Sequence, residues 1–296
     1  MPLTPILFSV SYSGSWGQAK LSVEEFVNHA ADLGFEGVML GAKRPHLSLL
    51  DYDDKGRAQL RRQIEARGLR TICVAGYNNF TADLDHGEIP MREIQVHYVT
   101  ELARLARDIG GSLVRIFTGY EHPAGTYLAQ WNLLVDAVKE CAQRAAGFGV
   151  TIGVQNHHDI GVDYRSQYDL IRAVNEPNCK ALFDAWAPAL QGTDLVEAAR
   201  HMAPVTAHTT IANYQKRPRF VYEHDVINYR PQNSYSQAVP IEEGFIDYSA
   251  FLGALIAGGF SGSVAYEMCS PLLGGGSIEN LDRYAGLFLK FIRAMG

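Results

Sequence analysis

Basic residues are too few in this sequence, and too scattered, for a nucleic-acid-binding protein. The 296 residues include 26 Lys and Arg against 32 Asp and Glu, which gives a net charge of -6. Proteins that bind nucleic acids usually carry a basic face, because neutralising phosphates supplies most of the affinity. We therefore expect no nucleic-acid partner.

Cysteine pairs and long apolar segments are also missing. The four cysteines, Cys73, Cys141, Cys179 and Cys269, form no C-x-x-C motif, which is typical of reduced thiols in a cytosolic protein. No segment approaches the roughly 18 uninterrupted apolar residues of a membrane helix. The first residues lack the basic region and apolar core of a signal peptide. We expect a cytoplasmic protein that does not enter the membrane.

Short apolar runs, rich in strand-forming residues, recur along the whole chain. Near-continuous apolar character is typical of parallel strands that are covered on both faces. Eight such strands are predicted, at Ile6–Val10, Gly37–Leu40, Leu69–Val74, Leu113–Phe117, Thr151–Gln155, Ala181–Asp184, Val205–His208 and Ser263–Glu267.

Amphipathic segments separate these runs. Ser22 and Glu25 have the spacing of a capping box that opens a helix, and further helices are predicted at 90–109, 127–147 and 279–295. Eight strand–helix units predict a single-domain (β/α)8 TIM barrel over residues 1–296. A doubly wound open sheet is the rival fold, but the Gly-rich fingerprint G-x-G-x-x-G does not follow the first strand.

One connection is longer than the others. Residues 209–247, after the seventh strand, are rich in Tyr, Asn, Gln, Arg and Pro. A loop of this length in a compact domain is usually a lid or a binding loop. An arm that joins subunits is the alternative.

Polar residues end four consecutive predicted strands, the fifth to the eighth. They are Gln155, Asp184, His208 and Glu267. In a TIM barrel the carboxyl ends of all strands meet at one mouth, so these side chains are expected to converge. Carboxylate and amide oxygens with an imidazole nitrogen suit Mn²⁺, Mg²⁺, Co²⁺ or Zn²⁺. The pattern predicts a divalent metal site.

The sequence resembles the xylose-isomerase-like TIM barrel superfamily of sugar isomerases and epimerases, both in these four residues and in the segments around them. The similarity extends over nearly the whole chain, through LGFEGVML at 33–40, GVTIGVQNH at 149–157, KALFDAW at 180–186, VTAHTT at 205–210 and the segment 244–268. The resemblance implies that Gln155, Asp184, His208 and Glu267 bind the metal, with Mn²⁺ the first choice. It also implies a small sugar or sugar-derived substrate and a homo-oligomer.

Gln155 departs from the family pattern, which has Glu at this position. An amide can offer its oxygen to a metal but cannot accept a proton in the useful pH range. Epimerases of the family use two carboxylates, and only Glu267 of that pair is retained. Ala187 also replaces a family His. His157 and Glu267 are therefore the expected catalytic residues, because His exchanges protons near neutral pH.

Further residues near the strand ends are expected to bind the substrate. Aromatic rings provide platforms for sugar C–H faces, and a buried Arg requires an anionic partner from the protein or the substrate. The predicted substrate-binding residues are His158, Arg115, Trp186, Tyr77 and Arg217. Lys43, His46, Phe80, Thr118, Tyr120 and Asp159 are secondary candidates, with packing or loop capping as the alternative role.

Three functions remain open at this stage. The first is a metal-dependent isomerase or epimerase that moves a proton α to a carbonyl through an enediolate. The second is a lyase of the same fold, either a ketocyclitol dehydratase or an eliminase of a substituent from an oxidised sugar, which needs only one base. The third is a barrel that has lost catalysis. DNA-repair nucleases of the superfamily are disfavoured, because the additional His and Glu ligands of a trinuclear zinc site are missing.

Overall fold

The computed structural model describes residues 3–85 and 87–295, in which strands and helices alternate. In chain order the elements are β1 (Thr4–Phe8), α1 (Val23–Leu33), β2 (Gly37–Gly41), α2 (Asp54–Ala66), β3 (Thr71–Ala75), α3 (Met91–Asp108), β4 (Leu113–Ile116), α4 (Tyr127–Ala146), β5 (Thr151–Gln155), α5 (Tyr164–Val174), β6 (Cys179–Leu182), α6 (Trp186–Leu190), α7 (Leu195–Met202), β7 (Thr206–Ile211), β8 (Asn213–Glu223), β9 (Asn228–Val239), α8 (Tyr248–Ala257), β10 (Ser263–Tyr266) and α9 (Ile278–Ala294).

Eight of these strands close a parallel barrel in the order β1-β10-β7-β6-β5-β4-β3-β2. Closure is made by β1 and β10, which pair in parallel from Thr4 opposite Ser263 to Leu7 opposite Tyr266. The predicted single (β/α)8 barrel is confirmed. No helix in the described ranges has the length and apolar character needed to cross a membrane.

Helix boundaries follow the capping signals in the sequence. At the start of α1, the Ser22 side chain accepts from the Glu25 backbone while the Glu25 carboxylate accepts from the Ser22 backbone, which is the predicted capping box. Gly34 ends the helix with φ of 91°, a conformation that glycine adopts without steric cost.

The apolar core has two layers. The larger layer lies between the strands and the surrounding helices. A smaller cluster fills the barrel interior and consists of Ile6, Phe8, Met39, Cys73, Ala75, Leu182 and Ala265. All four cysteines are free thiols. Because this inner cluster closes the barrel axis, polar side chains at the strand ends face a cavity with an apolar floor.

The composition of the long connection after β7 predicted a loop, but the structure shows regular strands there. It contains an antiparallel ribbon of β8 and β9, paired from Asn213 opposite Val239 to Glu223 opposite Asn228. Its base is buried against the barrel, whereas its outer part is exposed. Aromatic and β-branched residues such as Phe220, Val221 and Tyr222 favour strands. The prediction of a loop gave more weight to the polar residues around them.

Strand ends differ from the predicted bounds in two places that matter for the site. β1 ends at Phe8 because the next residues, Ser9–Tyr12, form a 3-10 helix. β6 ends at Leu182, so that Asp184 lies on the loop just beyond the strand. Both shifts leave the polar residues at the same mouth of the barrel.

Candidate active site

A cavity of about 870 Å³ opens at the carboxyl ends of the barrel strands. Most of the predicted site residues line it. They are Tyr77, Arg115, Gln155, His157, His158, Asp184, Trp186 and Glu267. Lys43, His46 and Tyr120 line it as well, and Ser236 of β9 brings the base of the ribbon to its rim.

Asp184 is the most firmly held carboxylate of the cavity. It is 4% exposed, and its Oδ1 accepts from the Trp186 backbone N–H at 2.6 Å. Its Oδ2 accepts from Gln155 Nε2 at 3.1 Å and from Thr210 Oγ1 at 2.8 Å. Burial raises the pKa of Asp184, and these hydrogen bonds oppose that rise. Three donors therefore fix the carboxylate in one orientation.

The backbone of Asp184 is fixed by a neighbour of Gln155. Asn156 Oδ1 accepts from the Asp184 N–H at 2.7 Å, and Asn156 Nδ2 donates to the Asp184 carbonyl at 2.9 Å. These two bonds replace the strand pairing that ends at Leu182. Asn156 and Thr210 were not among the predicted site residues, although each lies next to or near one in sequence.

The side-chain amide nitrogen of Gln155 donates hydrogen bonds to Asp184 and Thr210. Its Oε1 makes no hydrogen bond to any described residue. The amide thus leaves its oxygen available, which is the atom that a metal ion would use.

His208 is fully buried on β7. Its Nδ1 lies 2.7 Å from Ser263 Oγ, while its Nε2 has no hydrogen-bond partner within the described ranges. Burial lowers the pKa of His208 to about 3, with the Arg115 charge acting in the same direction. The imidazole is therefore neutral, as metal coordination requires. It is not among the cavity-lining residues.

Glu267 directly follows β10 and lines the cavity. Its only hydrogen bond to a described side chain is a weak one, from Cys269 Sγ to Oε1 at 3.4 Å. Burial raises the pKa of Glu267 to about 7, with further elevation from the Asp184 charge and an opposing effect of Arg115. Glu267 is thus the less restrained of the two carboxylates.

The donor types fit a divalent cation, although the side chains do not assemble a complete site. A cation would stabilise three groups there. They are an unpartnered imidazole nitrogen, the buried carboxylate of Asp184 and the half-buried carboxylate of Glu267, and the pKa values of both carboxylates are raised. Across residues 3–85 and 87–295, however, no three His, Cys, Asp or Glu side chains are placed together as a metal site.

Two consecutive histidines face the cavity beside β5. Their rings are 4.0 Å apart between centroids. His157 packs 4.8 Å from the Phe117 ring, and its Nδ1 has no partner in the described chain. His158 is more exposed, and its Nε2 is hydrogen-bonded to the Tyr120 hydroxyl. The two histidines thus differ in restraint, since His158 is tied to Tyr120 and His157 makes no side-chain hydrogen bond to a described residue.

An aromatic wall borders the acidic residues. Trp186 begins α6, and its ring lies 4.0 Å from the Tyr214 ring and 5.9 Å from the Phe245 ring. The Tyr214 hydroxyl is 3.3 Å from Cys269 Sγ. Tyr214 and Cys269 also line the cavity. Sequence reasoning missed both, since Tyr214 was read only as part of the long loop.

Other candidates lie outside the cavity. Arg217 is on the ribbon, where its Nε donates to Gln237 Oε1 at 2.7 Å, and it is not among the lining residues. Phe80 is fully buried in the core. Asp159 accepts from the backbone N–H groups of Thr118 and Gly161 at 2.7 and 3.1 Å, which is the loop-capping role considered as its alternative.

Comparison with known proteins identifies the family. The sequence model of the xylose isomerase-like TIM barrel family matches residues 27–289. The chain therefore belongs to this family. No curated protein sequence matches it significantly.

Solved structures with the same fold are similar over their whole length but distant in sequence. An L-ribulose 3-epimerase is 19% identical, with a TM-score of 0.73 over 99% of this chain and 94% of its own. A D-psicose 3-epimerase in the presence of D-fructose is 16% identical, with a TM-score of 0.76 over 100% and 99%. A probable 3-DHS dehydratase from Bacillus anthracis is 17% identical, with a TM-score of 0.72 over 98% and 99%.

Proposed function

We propose that the protein is a divalent-metal-dependent isomerase of a small sugar-like substrate, in which Glu267 alone abstracts a proton α to a carbonyl. Mn²⁺ is the first candidate ion. Gln155, Asp184, His208 and Glu267 are the residues that would hold it. The named activities of the structural neighbours, two epimerases and a dehydratase, support chemistry of this kind.

The unequal restraint of the Asp184 and Glu267 carboxylates carries this proposal. Asp184 is immobilised by three donors, whereas Glu267 accepts only from a thiol. A carboxylate that keeps free lone pairs and reaches the cavity can take a proton, while one that is fully hydrogen-bonded serves to position other groups. The second carboxylate of a two-base epimerase is replaced by Gln155, so one base has to suffice.

One base can complete an isomerisation. Glu267 takes the proton from the carbon α to the carbonyl, which leaves an enediolate, and the resulting carboxylic acid returns the proton to the adjacent carbon. When bound, the metal ion would polarise the substrate carbonyl and neutralise the negative charge that develops on oxygen. His157, whose side chain lines the cavity, moves the proton between the two oxygens.

A lyase is the second candidate, and His157 is the observation that favours it. Elimination begins with the same proton abstraction by Glu267 but needs an acid for the leaving group. His157 lines the cavity, so its imidazole can protonate the departing oxygen. The carbon–oxygen bond then breaks and a double bond forms next to the carbonyl.

Solvent deuterium exchange tests the shared first step. The protein is incubated with Mn²⁺ in D₂O with ketoses, aldoses and ketocyclitols, and the substrates are analysed by NMR and mass spectrometry. Deuterium incorporation with an unchanged molecular formula supports the isomerase, and loss of water or of a substituent supports the lyase. If the complete panel shows no exchange, and Mn²⁺ does not raise the melting temperature, a barrel without catalysis is the better assignment.

A further inference from the structure

Arg115 is a buried cation for which the described part of the chain provides no anionic partner. It lies on β4 and is 2% exposed. One Nη donates to the Gly76 carbonyl at 2.8 Å, and its Nε has no partner in the described chain. None of the ion pairs in the described ranges includes Arg115, so no carboxylate there lies within 4 Å of it. Burying an unpaired charge is costly, and structures that retain one usually supply its partner from elsewhere.

Aromatic rings surround the guanidinium. Its central carbon is 4.1 Å from the Phe117 ring centroid, 4.9 Å from that of Tyr77 and 5.9 Å from that of Phe8. Rings stabilise the charge through cation–π attraction but accept no strong hydrogen bonds. Arg115 lines the cavity. Its Nε is enclosed, and one Nη is bonded to Gly76, so the second Nη is the group that a bound molecule can reach.

A second cation lies on the same side. Lys43 Nζ is 3.9 Å from the Tyr77 ring centroid, so that Tyr77 is shared with Arg115. Burial lowers the pKa of Lys43, and the positive charge of Arg115 lowers it further. The two cations therefore repel each other across the cavity wall. Lys43 forms no ion pair with any described carboxylate either.

The cavity is consequently divided by charge. Tyr77 and Lys43 follow β3 and β2, and Arg115 lies on the adjacent β4. The acidic residues belong to the opposite half of the barrel, which is formed by β5, β6, β7 and β10. A substrate that spans the cavity would meet cations at one end and the carboxylates at the other.

We propose that the substrate of this enzyme carries a carboxylate, which binds the N–H edge of Arg115 with Lys43 as a second contact. This inference rests on the proposed function, because it places the reacting carbonyl near Glu267 and the carboxylate at the far end. A carboxylate is preferred over a phosphate. The guanidinium is planar and weakly hydrated, and it forms strong charge-assisted hydrogen bonds with a planar carboxylate.

Binding of matched ligand pairs tests the substrate class without turnover. Calorimetry compares D-glucuronate with D-glucose, and quinate with myo-inositol, where each acid has a neutral counterpart of similar shape. We expect each acid to bind about tenfold or more tightly than its counterpart, as for a charge-assisted hydrogen bond to a buried arginine. The measurements are repeated in EDTA, since chelation of a carboxylate by a metal ion could imitate the preference.

Variants locate the preference. Arg115→Met should abolish it, Arg115→Lys should retain only part of it, and Lys43→Met should weaken it severalfold. Arg107→Met is the matched control. This Arg is also stacked on an aromatic ring, 5.0 Å from the Phe148 centroid, but it lies outside the cavity and pairs with Asp108. It should leave the preference intact.

Several results would overturn the inference. The unmodified protein could bind an acid and its neutral counterpart equally, or bind neither measurably. The preference for the acid could also disappear in EDTA, or persist in Arg115→Met. Tighter binding of D-glucose 6-phosphate than of D-glucuronate would replace the carboxylate with a phosphate. If Arg115→Met does not fold, the unmodified protein and Lys43→Met still decide the question. Solvent exchange into neutral sugars alone would contradict this substrate class while supporting the proposed reaction.

Discussion

In the proposed metal site, Gln155 is a neutral amide where the family pattern predicts a carboxylate. The cluster with Asp184 and Glu267 therefore carries one negative charge fewer than that pattern predicts. Gln155 Nε2 donates to Asp184, which a glutamate at this position could do only when protonated. The substitution thus stabilises the cluster when no cation is present, and it weakens the attraction for one. This single residue decides both the charge of the site and the number of available bases.

Replacing the amide of Gln155 by a carboxylate should lower the stability of the protein without metal and raise its affinity for the metal ion. In Gln155→Glu we expect a lower melting temperature in EDTA, because another charge is buried beside Asp184, and Mn²⁺ affinity higher by about tenfold or more, or ~1.4 kcal/mol. Thermal denaturation over a Mn²⁺ titration measures both.

Gln130→Glu provides the control for a buried charge. Gln130 is 2% exposed and is held by the His122 backbone, outside the cavity. The Gln130→Glu variant should lower the stability of the protein without changing its response to Mn²⁺. An unchanged Mn²⁺ affinity in Gln155→Glu would argue against ligation by this residue.

Glu267 carries the proton transfer in the proposed reaction. Glu267→Gln retains the shape and the acceptor oxygen but removes the basic carboxylate, so turnover should fall by about 10²–10⁴-fold. Solvent deuterium incorporation should fall with it. The melting temperature in EDTA should be unchanged or higher, because the repulsion between Glu267 and Asp184 is removed. Near-normal exchange would exclude Glu267 as the base.

At the level of elements, close approach between strands fixes the barrel on which the site is built. Gly37 begins β2 opposite Thr71 of β3. A Cβ at Gly37 would lie 2.0 Å from the Thr71 carbonyl oxygen, which is backbone and cannot turn aside. The residue type at this position is therefore set by the neighbouring strand rather than by a turn.

Adding this single carbon should destabilise the barrel. We expect Gly37→Ala to lower the free energy of unfolding by about 1–3 kcal/mol, as overpacking does. Gly286→Ala is the matched control, because Gly286 is exposed within α9 and a Cβ there meets no atom within 4 Å. Helix propensity predicts a gain of about 0.5–1 kcal/mol for it. Urea denaturation of both variants measures the difference, and equal stability would contradict the steric argument.

At the level of the whole molecule, the β8–β9 ribbon projects from a closed barrel. Its outer part exposes several large apolar side chains, among them Phe220 at 59%, Ile227 at 78% and Tyr229 at 65%. Exposed apolar clusters and unpaired strand edges are typical of interaction surfaces, and an isolated two-stranded ribbon is marginally stable. The ribbon thus supports the expectation that the protein is a homo-oligomer.

Charging the ribbon should separate the subunits. Light scattering should give the unmodified protein a mass well above the 32.7 kDa of one chain, and Phe220→Glu with Tyr229→Glu should reduce it to that value. Leu128→Glu, at a residue 66% exposed on α4, is the control and should leave the mass unchanged. A monomeric unmodified protein would remove this role from the ribbon.

Most of the fold could be predicted from the sequence because its signals are local. Apolar runs placed all eight barrel strands, and the capping box placed the start of α1 at its observed position. The ribbon was missed as secondary structure because its strands pair with each other rather than with the barrel and bury little apolar surface. Without burial, the alternation that identifies a half-buried strand is weak.

The local residue pattern was enough to predict the barrel and the polar residues at its strand ends, Gln155 among them. How these groups differ from one another depends on the folded structure. It holds Asp184 with three donors, leaves Glu267 nearly free and buries His208 with an unused nitrogen. It also keeps Arg217 out of the cavity and leaves Arg115 without a carboxylate. The reason is physical, since hydrogen-bond partners and burial depend on residues far apart in the chain, which spacing along the sequence does not specify.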